Sequence, residues 1–201
     1  MIGYLPKLPS GRQVIALMIV TNVIYALMLG YTIPTLMEYA SGLPIFDMSP
    51  MGYSYDQAMT LLDALGGEGR AFYLTQLALD MIYPALFALT YYLLFVWLLS
   101  KCGITNGVWQ WLAVLPVLSA LCDYLENISI WLMLSNYEDV TPLMVEMASL
   151  FTVAKSMLGM LYWMFLLAFV VVAIVCWFRD KKAQPGTEDA ITGVSNETKS
   201  K

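Results

Sequence analysis

The chain of 201 residues is 60% hydrophobic and only 12% charged, with a mean hydropathy of +0.68, whereas a soluble domain is roughly 45–50% apolar and about 25% charged. That excess outruns what one globular core can bury and points to an integral membrane protein. The chain has no histidine, which excludes His-based triads and His metal sites, and its net charge of −5 comes without the basic run that nucleic-acid binding needs.

Residues 1–12 carry Lys7 and Arg12 ahead of the first apolar run, 13–35. That run is longer than the roughly 7–15 residues of a signal-peptide core, and no clean A-x-A site follows, so it reads as a membrane helix that is retained. A connection of residues 36–70 comes next, broken early by Pro44 and Pro50. Residues 54–65 then predict a short amphipathic helix. Ser54 and Gln57 form a capping box, Asp56 sits at the positive end of the dipole, and Gly66-Gly67 supplies the stop. Ala58, Leu61, Leu62 and Leu65 share its apolar face, which needs a surface to cover. Lying on the bilayer or capping the bundle meets that need; a lid over a cavity is the sharper alternative.

Three further apolar runs, 71–99, 108–134 and 148–178, each reach the about 20 residues that a bilayer crossing needs. The expected architecture is an all-α integral membrane protein, a four-transmembrane-helix bundle over 13–178 with the amphipathic helix in its long first loop. Residues 179–201 are polar and aperiodic and read as a disordered cytoplasmic tail. Lys7, Arg12, Lys101, Arg179, Lys181 and Lys182 all fall on one side of the spans. Glu38, Asp47, Asp56, Asp63, Glu68, Glu138, Asp139 and Glu146 fall on the other, with Arg70. The excess of basic residues in the short flanks predicts both termini in the cytoplasm. Two formal glycosylation sequons, at Asn127 and Asn196, then lie in a span and in the cytoplasm, where neither is modified.

The spans are not uniformly apolar. At 1.5 Å per residue, Asp80 lies about 13 Å in from the outer end of span two, Asp123 and Glu126 roughly 12–17 Å into span three, and Lys155 about 11 Å into span four. Helical spacing also aligns them. Gln76, Asp80, Tyr83, Pro84, Phe87 and Tyr91 form one stripe, as do Pro116, Ser119, Asp123, Glu126, Asn127 and Ile130. Span four offers Thr152, Lys155, Ser156, Gly159 and Tyr162, and span one a weaker stripe with Thr21, Asn22, Tyr25 and Thr32. Agreement in depth and angle predicts one polar site. Its expected members are Asp80, Asp123, Glu126, Asn127 and Lys155, with Gln76, Tyr83, Asn22 and Tyr25 around them. Pro84 and Pro116 are expected to kink their helices and open space.

Three carboxyls against one lysine leave an excess of negative charge, and even the cheapest insertion estimates put a central charge at about 2.5–3.5 kcal/mol. Protonated carboxyls, an inward-reaching Arg70, or a bound cation would each remove it. With no P-loop spacing in GGEGR, and three cysteines (Cys102, Cys122, Cys176) without CxxC pairing, phosphotransfer, a zinc site and a disulfide framework are set aside; no metal or cofactor is expected. The leading expectation is binding or transport of a small hydrophobic, amphipathic or cationic molecule, with proton coupling allowed by the carboxyls. The alternatives are a lipid- or isoprenoid-modifying enzyme with Asp123 and Glu126 as acid and base, and an assembly subunit whose polar layer pairs with a partner span or a second copy. Membrane lipids are partners in every case. In placing intramembrane carboxylates around an apolar pocket, the arrangement resembles four-helix sterol-isomerase and sterol-binding proteins; no motif matches residue by residue, and no role is carried over.

Overall fold

The structure, a computed structural model, describes residues 10–104 and 107–183. Lys7, the tail beyond 183 and the Asn196 sequon lie outside the described residues. Among those described the chain is all-helical, and four helical stretches are long and apolar enough to cross a membrane: Gly11–Tyr39, Tyr55–Lys101, Leu115–Ser135 and Pro142–Arg179.

Two of these stretches are interrupted and the third is preceded by a short helix, and a proline stands beside each break. The first runs as α1 (Gly11–Leu27), a π-helical turn (Met28–Thr32) and α2 (Ile33–Tyr39). Pro34 has no N–H to return to the preceding turn, and the helix widens there. The second is α3 (Tyr55–Asp80) followed by α4 (Tyr83–Lys101), parted by a turn at Met81-Ile82 just before Pro84. The third is the single helix α6 (Leu115–Ser135), with Pro116 in its first turn, and the short α5 (Gly107–Leu112) precedes it. Prolines read as kinks in the sequence therefore end one helix and start the next. The fourth is α7 (Pro142–Ala183), likewise a single helix.

The loop helix forms the first part of α3. Both halves of the capping box are made at Ser54 and Gln57, and Gly66 takes φ 59° and ψ −172°, a conformation that favours glycine and parts the helix in two. Ala58, Leu61, Leu62 and Leu65 are buried with Leu36, Ile45, Phe46, Met133, Val145 and Ala148, so this helix caps one end of the bundle. A second apolar cluster, built by Val14, Tyr91, Phe95, Leu98, Tyr162 and Phe169, fills the opposite end, where α1 begins. α6 packs on α7 and α4, α1 on α4, and α2 on α3. Between the two apolar clusters lies a layer of polar side chains.

Candidate functional site

Lys155 is the hub. Its ammonium donates to Asp123 Oδ1 at 3.0 Å, pairs with Glu126 Oε2, and lies 3.9 Å from Asp47 Oδ1. The three-residue spacing of Asp123 and Glu126 puts both on the α6 face that meets α7. Glu126 is fully buried and its Oε1 accepts the Thr152 hydroxyl at 2.6 Å, so each of its oxygens has a fixed partner. Ser119 donates to the Lys155 carbonyl at 3.2 Å, holding the two helices in register. Bonds of this kind contribute about 0.6 kcal/mol each on average between helices in lipid.

Asp47 corrects the sequence reading, which left it among the charges of the connecting loop. Phe46 is buried against Tyr53 and Tyr73, with ring centroids 4.8 and 6.1 Å away, and the 3-10 turn Phe46–Met48 thereby carries Asp47 inward. Its Oδ2 accepts the Tyr73 hydroxyl at 2.6 Å. The loop is pinned to α7 by the Tyr53 N–H, which donates to Ser149 Oγ at 2.9 Å. Burial raises the Tyr53 phenol above its ordinary pKa, so it stays neutral beside these charges. Arg70 does not reach inward. It donates to the Leu62 carbonyl at 2.8 Å and stacks over Tyr137, 3.9 Å from the ring centroid.

Asp80 ends α3 and is 4% exposed, yet among the described residues it makes no ion pair. Its backbone explains its neighbours. The carbonyl of Asp80 would take the N–H of residue 84 in a continuous helix, and Pro84 has none. Asn127 Nδ2 donates to that carbonyl instead, at 3.3 Å, and Tyr124 caps the Met81 carbonyl at 3.0 Å. Asn127 thus acts on the helix break; its place in the site is that of a positioning residue.

A cavity of about 390 Å³ opens beside these groups. Asp47, Asp80, Asp123, Lys155 and Gln76 form its polar wall, and Tyr25, Tyr83, Phe87 and Trp163 its aromatic wall. Tyr25 and Tyr83 stack at 5.5 Å. Of the residues singled out from sequence, Asp80, Asp123, Lys155, Gln76, Tyr83 and Tyr25 line the cavity, and Glu126 stands behind Lys155. Asn22 does not line it. Its amide donates to the Met18 carbonyl at 2.8 Å and to Tyr91 at 3.4 Å, while Thr21 meets Thr90 at 2.7 Å, which ties α1 to α4. The groups not anticipated as site members are Asp47 and Tyr73. Asp47 has no local periodic signal, because it depends on the seating of the loop, whereas Tyr73, three residues before Gln76 and seven before Asp80, extends their stripe on α3. The carboxyls are not grouped as a metal site among the described residues.

Four carboxyls thus surround one ammonium, an excess of three negative charges if all are ionised. Comparison with protein-family profiles, with curated proteins and with solved structures gives no match.

Proposed function

We propose that this chain is a multi-pass membrane protein that binds a small amphipathic molecule bearing a positive charge. The supporting observation is Asp80, a buried carboxyl without a counter-ion on the wall of an aromatic-sided cavity. An ammonium there removes part of the excess negative charge and lies among the aromatic rings, whose faces attract cations by about 0.5–2 kcal/mol. The volume falls within the roughly 300–1,000 Å³ of small-molecule sites. Asp123 and Glu126 are held by Lys155 and set the negative field; Asp80 is the direct partner.

A proton and an organic cation are alternative ways to neutralise Asp80, which shares the cavity with Asp123 and Lys155. Binding therefore releases protons, and transport would follow as a proton-linked extension of binding. The test is titration calorimetry on the full chain in lipid nanodiscs with phenethylamine. Binding is expected, with a heat that varies with the ionisation enthalpy of the buffer, and Asp80→Asn is expected to weaken it about tenfold or more, the loss of one charged contact. Equal binding by Asp80→Asn, or by phenethyl alcohol in place of the amine, would refute the proposal.

The unequal settings of Asp80 and Asp123 on one cavity also suit an acid and a base. That supports lipid modification as the second reading, and turnover lost in Asp123→Asn with folding retained would favour it.

A further inference from the structure

Beside the acidic cavity, on the flank between the first and second helical stretches, lies a groove of about 420 Å³. Its sides are apolar, with Leu27, Tyr31, Phe72, Leu79 and Ile82 among them. Met28 and Gln76 belong to both spaces and form the wall between them. The groove exists because α1 packs on α4 and α2 on α3, while the π-helical turn Met28–Thr32 bridges the two and widens the helix beside α3. Single π turns inside α-helices commonly mark functional sites. Gln76 is 2% exposed, and its Oε1 has no hydrogen-bond partner. A buried acceptor left unbonded is unfavourable unless a donor reaches it.

We propose that the groove holds the hydrocarbon tail of the ligand whose ammonium sits at Asp80, so that the ligand is a single-chain lipid amine drawn sideways from the bilayer. This rests on the cation reading above. The charge of the cavity selects the head, and Gln76 Oε1 at the shared wall accepts an N–H or O–H just below it. The apolar groove selects the chain, each buried methylene contributing about 0.8 kcal/mol. Met28, an unbranched and adaptable side chain, is the part of the wall that moves as the ligand passes.

The experiment uses the full chain in nanodiscs and a tetradecylamine carrying a diazirine near its tail end, with the matching tetradecanol probe as control. Photolysis and peptide mass spectrometry are expected to place amine cross-links within residues 24–32 and 72–82, competed by phenethylamine and lost in Asp80→Asn. Leu79→Trp, which fills the groove from its lipid side, is expected to weaken tetradecylamine about tenfold, as for two lost methylenes, and to leave phenethylamine unchanged. Equal labelling of the groove by the alcohol probe, insensitive to Asp80→Asn, would reduce it to ordinary lipid contact and overturn the inference. Phenethylamine binding that depends on Asp80, without groove cross-links, would also overturn it and leave the cation site standing. Failure of phenethylamine to bind at all would remove both.

Discussion

At the scale of single residues, the polar layer is organised by Lys155. Its removal leaves Asp123 and Glu126 buried without a counter-charge, and breaking a buried ion pair from one side costs about 3–5 kcal/mol. Lys155→Met is therefore expected to be strongly destabilised in detergent-unfolding titrations. Glu126→Gln keeps an acceptor for Thr152 and is expected to cost far less. Adding Glu126→Gln to Lys155→Met should restore part of the lost stability, since one orphaned charge is gone. Additive losses in that double-mutant cycle would show that the pair is not coupled. Asp123, Glu126 and Lys155 were legible in the sequence because helical periodicity fixes both their face and their depth. Asp47 was not. Its position depends on Phe46 seating between Tyr53 and Tyr73 and on a hydrogen bond from Tyr53 to Ser149, 96 positions away, and such contacts leave no period to read.

At the scale of elements, the breaks in the helices position the site. Pro84 was legible as a disturbance of span two, but its consequence, a carbonyl at Asp80 handed to Asn127 on another helix, is a tertiary fact. Asn127→Ala leaves that buried carbonyl without a donor, at an expected cost of about 1–3 kcal/mol. Pro84→Ala supplies a backbone N–H four residues beyond Asp80. The double variant Asn127→Ala/Pro84→Ala should therefore recover much of the stability lost by Asn127→Ala alone, measured by thermal unfolding in nanodiscs. It should also bind phenethylamine more weakly, because a straightened helix moves the Asp80 side chain off the cavity wall. No recovery would mean that Asn127 stabilises the bundle by some route other than the helix break. The capping box at Ser54 and the stop at Gly66 were legible residue by residue, since both are local chemistry. The π turn at Met28–Thr32 was not anticipated, although Pro34 is the signal beside it.

At the scale of the whole molecule, charge divides the bundle. Arg12, Lys101 and Arg179 belong to the end where α1 begins and α4 and α7 finish, whereas Glu38, Asp56, Asp63, Glu138, Asp139 and Glu146 gather at the end capped by the loop helix. Basic residues in short flanks are retained in the cytoplasm, which predicts the capped end outside. In a background where Cys102, Cys122 and Cys176 are replaced by serine, Thr60→Cys on the exposed side of the loop helix should react with a membrane-impermeant maleimide on intact cells. Ser100→Cys, exposed at the other end of α4, should react only after permeabilisation. The reverse pattern would invert the topology, and with it the side from which the loop contributes Asp47 to the site.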